Sequence, residues 1–252
     1  MYQKTQKLYM SNKLITCLTS TYGRLSKLNE AVSCFLDQDY ENKKLIILNN
    51  HPTPLICDLP QIIVYNEPIY PTLGDCRNRL IELADGDFIR TWDDDDLYMP
   101  WTLSQGIKYI KDSPAWKPKK SWFWLKEKNP ELAENVFEAA ILIRIDIAKK
   151  YGYLKSSGGN EHETLCKGIE KEGGCSNDDL GDLASYVYRW GWGSWHISGS
   201  LGSNTIENRT KTWCEHNNDV QNGIIRKVDL SEYWSHFPTW NPNLRAFNKQ
   251  LV

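Results

Sequence analysis

Four consecutive aspartates, Asp93 to Asp96, are the residues of this sequence best suited to chemistry. They directly follow the run from Asp87 to Trp92, which predicts a buried strand. If the backbone stays extended, alternation points Asp93 and Asp95 to the same side. Two carboxylates aimed together attract a hard divalent cation, and Mg²⁺ is usually held by one or two carboxylates and by phosphate oxygens of a substrate. The run therefore predicts a metal site for a nucleotide diphosphate, and the alternative is a solvated acidic turn.

Strands and helices alternate over the first hundred residues. Short apolar, β-branched runs predict four strands, at residues 14–20, 44–48, 61–65 and 87–92. Apolar residues at helical spacing predict two helices between them, at residues 24–37 and 74–84. This alternation favours an α/β fold with a mainly parallel central sheet flanked by helices. Ligands of such sheets lie outside the carboxyl ends of the strands, and here those ends carry three polar groups, at residues 19–24, 49–50 and 93–96.

The second half of the chain is predicted to be less regular. Pro100 suits the first turn of a helix whose inward-facing residues are Trp101, Leu103, Ile107 and Ile110. Apolar runs predict strands at residues 121–125 and 139–144, and a helix follows at about residues 161–172. Residues from about Thr205 onward are rich in Asn and Trp and are expected to form a less regular C-terminal extension.

The composition excludes several classes of protein. The 252 residues carry a formal net charge of -2, so no overall positive field predicts a nucleic-acid or acidic-membrane partner. The longest apolar runs are far shorter than the roughly 20 residues that span a bilayer. The seven cysteines are odd in number, scattered and free of C-x-x-C pairs, which argues against a disulfide framework and a zinc site. Because residues 1–13 show no secretory signal, we expect a cytoplasmic protein.

The stretch from Gly74 to Asp96 resembles the signature of glycosyltransferase family 2. In that family an arginine-asparagine helix, here with Arg77-Asn78, a glycine turn and an apolar strand precede the D-x-D motif. The start of the chain agrees, because Thr21-Tyr22-Gly23-Arg24 is similar to the loop after the family's first strand. The resemblance covers residues 14–102. It implies a GT-A fold, a nucleotide-sugar donor such as a UDP-sugar, Mn²⁺ or Mg²⁺ as cofactor, and inverting transfer of a glycosyl group.

The resemblance also implies roles for residues of the first half. The nucleotide pocket would be lined by Thr19, Thr21, Tyr22 and Arg24. Arg77 would lie near the donor phosphates, and Asp93 and Asp94 would face the ribose or the sugar. Asp95 would ligate the metal together with Asp93. Where the family usually has an aspartate pair after its second strand, this chain has Asn49-Asn50, whose amides still offer a donor and an acceptor to a base.

The second half resembles the family in a strand and turn before an acidic motif. Glu161, His162 and Glu163 lie where that motif is expected, and each could act as the general base that draws the proton from an acceptor hydroxyl. The alternatives are a solvated first helical turn and a counterpart at Asp178-Asp179. His196 follows a Y-x-Y-R-like stretch that begins at Tyr186, and it could reach the diphosphate or the metal.

Seven lysines are interleaved with aromatic residues between Lys108 and Lys128, here called the basic segment. It predicts either a surface for a nucleic acid or a saccharide, or a lysine-coated loop before a core strand. We therefore expect the acceptor to be a glycan or a hydroxymethylated DNA base, flipped out of its duplex as in phage DNA modification. A hypothesis from another class is a non-catalytic GT-A-like module that binds a nucleotide-sugar or a glycan.

The predicted organisation is a GT-A domain at residues 1–204 and a C-terminal extension at residues 205–252 packed on it. Within the domain, about residues 14–102 would form the nucleotide-sugar half and about residues 103–204 the acceptor half. A nucleotidyltransferase, which would share the sheet and the acidic metal site, is disfavoured because the loop from Thr19 to Arg24 contains one glycine.

Overall fold

The computed structural model describes residues 12–135, 138–157, 159–177, 183–190, 220 and 222–237. Within these ranges the strands form a seven-stranded sheet in the order β10-β6-β9-β4-β1-β2-β3 and a four-stranded sheet in the order β5-β11-β7-β8. The strands are β1 (Ile15–Thr21), β2 (Lys43–Asn49), β3 (Ile62–Asn66), β4 (Phe88–Thr91), β5 (Leu97–Tyr98), β6 (Ala115–Trp116), β7 (Lys120–Leu125), β8 (Glu131–Glu134), β9 (Leu142–Arg144), β10 (Cys175–Ser176) and β11 (Tyr186–Trp190). The helices are α1 (Leu25–Leu36), α2 (Leu73–Leu83), α3 (Thr102–Ile110), α4 (Ile145–Tyr151), α5 (Glu163–Lys171) and the single turn α6 (Ser231–Trp234).

Within the larger sheet, β1 pairs in parallel with both β2 and β4. Its side chains alternate between the two faces, so Cys17 joins the core on one face and Leu18 the core on the other. Helices α1 and α3 cover the first face, and α2, α4 and α5 cover the second. The predicted α/β class, with a mainly parallel sheet flanked by helices, is confirmed. No helix of the described residues is long and apolar enough to cross a membrane.

Two predicted boundaries in the second half are wrong. Helix α3 begins at Thr102, so Pro100 precedes the helix instead of lying in its first turn. The cause is a turn in which the backbone N–H of Thr102 donates to the carbonyl of Met99 at 3.0 Å. The strand predicted at residues 139–144 is shorter, because Glu138–Ala140 form a 3₁₀ turn and pairing with β4 and β6 begins only at Leu142.

Residues 222–237, here called the C-terminal segment, pack against the first half of the chain and the smaller sheet. Ile224 forms a parallel bridge with Ile56, and Phe237 is buried with its ring edge against Trp122 and Trp124. Residues 205–219, 221 and 238–252 of the predicted extension lie outside the described residues.

Candidate active site

The four aspartates lie in a turn that connects β4 to β5, here called the acidic turn. The turn closes because Trp92, the residue before it, stacks on Tyr98, the residue that ends β5, with ring centroids 3.7 Å apart. The hydroxyl of Tyr98 also accepts a hydrogen bond from the backbone N–H of Asp93 at 2.7 Å. The backbone turns at Asp94 and Asp95, so the prediction that it stays extended through the four aspartates is wrong. The neighbours Asp94 and Asp95 share a partner instead.

That partner is Arg24, which directly precedes α1. Its guanidinium donates to Asp95 Oδ2 at 2.9 Å and, through its other terminal nitrogen, to Asp94 Oδ1. The Thr21 hydroxyl donates to the second oxygen of Asp94 at 2.6 Å. The loop between β1 and α1 thus supplies both the cation and the hydroxyl that hold two aspartates of the turn.

Burial and crowding of like charges govern the electrostatics of the acidic turn. Burial, opposed by the charge of Arg24, raises the pKa of Asp94 to about 6. Burial and the charges of Asp95 and Asp93 raise the pKa of Asp96 well above its ordinary value. Burial disfavours the charged form of Arg24, but the charges of Asp94 and Asp95 outweigh this, and its pKa is raised. The arrangement concentrates negative charge beyond what one arginine balances.

A second arginine, Arg77 of α2, joins the turn to the second half of the chain. Its guanidinium lies 3.5 Å from Asp93 Oδ1 and 3.2 Å from Glu161 Oε1. It also lies over the ring of Tyr153, 5.3 Å from the ring centroid. The position of α2 is constrained, because a Cβ added at Gly74 would lie 1.8 Å from the carbonyl oxygen of Leu154. Glycine therefore allows the start of α2 to touch the loop before α5, which brings Glu161 to Arg77.

The three candidate bases differ in their surroundings. Glu161 is 5% exposed, and its Oε2 is a buried atom without a hydrogen-bond partner. Glu163 is exposed and pairs with Lys167 one turn later on α5. His162 is half-buried and directly precedes α5. Of these three, the contacts described for Glu161 reach the acidic turn through Arg77.

The remaining residues expected in the nucleotide pocket use most of their polar atoms inside the protein. Thr19 is buried, and its hydroxyl donates to the carbonyl of Trp92 at 2.6 Å. Tyr22 is half-buried, with its ring edge against His51 at a centroid distance of 5.2 Å. Thr19 therefore ties β1 to the residue before the acidic turn, whereas Tyr22 presents a ring beside the end of β1.

The amides of Asn49 and Asn50 are also bonded internally. Asn49 is 1% exposed, and its Nδ2 donates to Asn66 Oδ1 at 2.8 Å and to the carbonyl of Thr53 at 2.9 Å. Its Oδ1 accepts from the backbone N–H of His51 at 3.1 Å. Asn50 Nδ2 donates to the carbonyl of Pro68 at 2.9 Å. These contacts favour a role in shaping the loops over direct reading of a base.

Residues 16–117 match the family described as Glycosyl transferase family 2. The match covers 102 of the 252 residues, and over this region the chain is similar to that family. No curated protein sequence matches the chain at a significant level. The GT-A architecture implied by the sequence resemblance is shared with the solved structures to which the chain is similar, all at low sequence identity.

Two structures of S. aureus TarS, covering its residues 1–349, are similar to this chain. The first aligns with 15% identity and a TM-score of 0.57, over 70% of this chain and 60% of that one. The second, in complex with UDP-GlcNAc, aligns with 13% identity and a TM-score of 0.56, over 89% of this chain and 70% of that one. The mannosyltransferase PcManGT from Pyrobaculum calidifontis, in complex with GDP-Man and Mn²⁺, aligns with 13% identity and a TM-score of 0.54, over 87% and 69%. The chain thus spans less than two thirds of the first of these structures.

Residues beyond the family 2 region complete the site, and the sequence analysis assigned them no role. Arg189 of β11 is fully buried, its Nε donates to the carbonyl of Asp95 at 2.5 Å, and its backbone N–H donates to Asp96 Oδ1 at 2.9 Å. The Tyr186 hydroxyl donates to the other oxygen of Asp96. The Y-x-Y-R-like stretch was the available signal, since it contains both residues. Asp96 therefore fixes the turn to β11.

His196, Asp178 and Asp179 lie outside the described residues, so their roles stay predictions. Within the described residues, no group of three or more His, Cys, Asp and Glu side chains is arranged to hold a metal ion. In the basic segment, three aromatic residues are buried in the core, Trp116, Trp122 and Trp124, which favours the alternative of a lysine-coated loop before a core strand.

Proposed function

We propose that this chain is a metal-dependent glycosyltransferase, which moves a sugar from a nucleotide-diphosphate donor to an acceptor hydroxyl with inversion at the anomeric carbon. The observation that carries the proposal is the carboxyl cluster after β4, where Arg24 holds Asp94 and Asp95. Arg77 joins Asp93 to Glu161 beside it. This edge of the sheet is where open α/β folds bind their ligands. The family of residues 16–117 supports glycosyl transfer as the reaction.

The donor set of the acidic turn fits Mn²⁺ or Mg²⁺. Such ions need one or two protein carboxylates when a diphosphate completes the shell, and we assign that role to Asp93 and Asp95. The ion pairs around the turn join four carboxylates to the two guanidinium groups of Arg24 and Arg77, which leaves negative charge for a divalent cation. A bound ion would act as a Lewis acid that neutralises charge on the departing diphosphate. The complex of PcManGT with Mn²⁺ supports this assignment.

We favour a uridine diphosphate sugar as the donor, because TarS was solved with UDP-GlcNAc and with UDP. Tyr22 offers the ring against which a base can pack, and its edge contact with His51 holds that ring in place. Thr19, Asn49 and Asn50 shape the loops behind the pocket, since their polar groups bond to other protein atoms. Arg77 lies at the other side of the acidic turn, where its charge can meet the diphosphate.

Glu161 is the residue that we assign as general base. Inverting transfer by direct displacement needs a base that draws the proton from the attacking hydroxyl. Arg77 fixes Oε1 of Glu161, whereas Oε2 makes no hydrogen bond within the protein and can accept that proton. Glu163 is a weaker candidate because its carboxylate is exposed and paired with Lys167.

The acceptor that we propose is a glycan or a hydroxymethylated DNA base. With the tryptophans of the basic segment buried, two half-buried rings remain, Tyr109 and Phe123. Phe123 stacks on Tyr188 at a centroid distance of 5.9 Å. A stacked ring pair suits the face of a sugar or of a base. Both acceptors therefore belong in the test.

Donor hydrolysis across a panel of nucleotide sugars, with Mn²⁺ or Mg²⁺, tests the proposal. We expect metal-dependent turnover of one donor, and a loss of at least about 100-fold in Asp95→Ala, because the variant lacks charge at the diphosphate. The control is Asp112→Ala, which removes an exposed aspartate from a turn elsewhere and should leave turnover unchanged. Glycans and hydroxymethylated DNA are then compared as acceptors with the selected donor.

The same panel separates the alternative hypothesis. A donor that binds but is not turned over, with either acceptor present, would support a non-catalytic module that binds a nucleotide-sugar or a glycan. Failure of every donor to bind would overturn both functions.

A further inference from the structure

The C-terminal segment contacts α1 through side chains of that helix that accept its backbone hydrogen bonds. The backbone N–H of Arg226 donates to Asn29 Oδ1 at 2.6 Å, and that of Val228 donates to Ser33 Oγ at 2.6 Å. Asn29 is 6% exposed and Ser33 fully buried, so these bonds hold the segment in one register on the helix. This register places Tyr233 of α6 in contact with Glu30, which directly follows Asn29 in α1.

Tyr233 touches both members of a buried ion pair. Its hydroxyl donates to Glu30 Oε1 at 2.6 Å, and its ring lies 5.7 Å from the guanidinium carbon of Arg189. Arg189 Nη1 lies 2.7 Å from Glu30 Oε2, with the arginine side chain fully buried and that of the glutamate 11% exposed. Burial favours the neutral form of Glu30, but the charges of Arg189 and Lys27 and the hydrogen bonds from Tyr233 and Arg189 together outweigh it, so the pKa of Glu30 is lowered. Glu30 is thus an ionised group whose Oε1 accepts from Tyr233 and whose Oε2 faces Arg189 and also accepts from Lys27 Nζ at 3.4 Å.

Arg189 connects this ion pair to the acidic turn. Its Nε donates to the carbonyl of Asp95, the residue that we assign as metal ligand, and its backbone N–H donates to Asp96. Hydrogen bonds to the remaining oxygens and protons of a buried ion pair help to offset the desolvation of its two charges. Removing the Tyr233 hydroxyl would leave Glu30 Oε1 short of a donor and would loosen the guanidinium whose Nε fixes the Asp95 carbonyl.

We propose that Tyr233 is a positioning residue of the metal site, which acts through Glu30 and Arg189 on the backbone of Asp95. This inference rests on the proposed function, because it requires that the acidic turn binds the metal. It extends the site to a residue 203 positions away from Glu30 in sequence and outside the family 2 region. Outer partners of a metal ligand set its orientation and therefore its affinity.

The experiment compares Tyr233→Phe with Tyr40→Phe in the full chain. Tyr40 is a matched control, because its hydroxyl also donates one hydrogen bond of 2.6 Å, to the carbonyl of Lys13 at the other end of β1. Mn²⁺ is titrated in the presence of UDP, or of GDP where the wild type prefers it, and free Mn²⁺ is measured by electron paramagnetic resonance. We expect a 3- to 10-fold higher Kd for Mn²⁺ in Tyr233→Phe, which is smaller than the full effect of one hydrogen bond to a charged group because Tyr233 acts on the metal ligand only through Glu30 and Arg189. The Kd in Tyr40→Phe should equal that of the wild type.

Turnover gives a second readout that a merely structural role would not move. The Mn²⁺ concentration for half-maximal donor turnover should rise in Tyr233→Phe by the same factor, with kcat restored at saturating Mn²⁺. A lower kcat at every Mn²⁺ concentration, with an unchanged Kd, would overturn the inference and leave the proposed function standing. If Tyr233→Phe does not fold, Glu30→Gln replaces it, because glutamine keeps an acceptor for Tyr233 and weakens the pair with Arg189. Absence of Mn²⁺ binding and turnover in the wild type would overturn the proposed function, and the inference with it.

Discussion

The ends of β2 and β4 lie at the same edge of the sheet, separated by β1, and both carry consecutive polar residues. At the end of β2, the amides of Asn49 and Asn50 bond to loop carbonyls and to Asn66 within the protein. At the end of β4, the aspartates are held by side chains from β1, α2 and β11 and by that of Arg24, which precedes α1.

The two ends differ in how fully the protein itself meets the hydrogen-bonding and charge requirements of these side chains. Neutral amides carry donors and acceptors together, so a short loop can satisfy them. Carboxylates only accept and repel one another, so a buried run of them needs cations and hydroxyls brought from several elements. The amides at the end of β2 are therefore hydrogen-bonded within the protein. The carboxylates at the end of β4 carry more negative charge than their arginine partners neutralise, and a bound cation can compensate the remainder.

The largest expected effect concerns Glu161, the residue that we propose as general base. Glu161→Gln should lower kcat for transfer by roughly 100- to 10,000-fold, because the amide cannot take the hydroxyl proton although it can still accept from Arg77. Steady-state kinetics with the selected donor and acceptor measures this. Glu163→Gln is the matched control and should be close to the wild type. An equal loss in both variants, or a comparable loss in His162→Ala alone, would contradict the assignment.

A smaller effect tests whether the end of β2 is structural. Asn49→Asp should lower the free energy of unfolding by about 3 kcal/mol, because the carboxylate loses both donated hydrogen bonds and is buried against two acceptor oxygens. Urea unfolding measures the change. The surface variant Asn160→Asp keeps the acceptor for Ser156 and should stay within about 0.5 kcal/mol of the wild type. Unchanged stability together with tighter donor binding would show instead that this end of β2 reads the base.

The smallest effect compares two threonines of β1 that serve the end of β4. Thr21→Val should cost about 2 kcal/mol of unfolding free energy, since its hydroxyl donates to a carboxylate, and Thr19→Val about 1 kcal/mol, since its hydroxyl donates to a backbone carbonyl. Both side chains are buried, and both substitutions replace a hydroxyl by a methyl group. Urea unfolding of the two variants therefore compares the two hydrogen bonds directly. The reverse order would mean that the Asp94 carboxylate is not the stronger acceptor.

Much of the fold could be predicted from the sequence because its signals are local. The strand and helix patterns of residues 14–102 place the aspartates after β4 at the correct edge of the sheet. The direction of the aspartates could not be predicted, because it depends on Trp92 stacking on Tyr98 across the turn. That contact bends the backbone away from strand alternation.

The partners of the site depend on contacts between distant parts of the chain. The pairing of Arg24 with Asp94 and Asp95 joins residues about 70 positions apart, and the contact of Arg77 with Glu161 joins residues 84 apart. The internal bonds of Asn49 and the burial of Trp122 depend likewise on which residues fold over them. Residue types and spacing predicted a set of candidates, and tertiary packing decided among them.

The link between Tyr233 and Glu30 also sets the order of events during synthesis. Glu30 is synthesised 203 residues before Tyr233. At about 5 to 20 residues per second, the interval between the synthesis of these two residues is some 10 to 40 seconds. During that interval the nascent sheet can form while one oxygen of Glu30 lacks the Tyr233 hydroxyl. The hydrogen bond from Tyr233 to Glu30 can therefore form only after residue 233 has been translated. Until then, the acidic turn of the nascent chain would lack this outer contact.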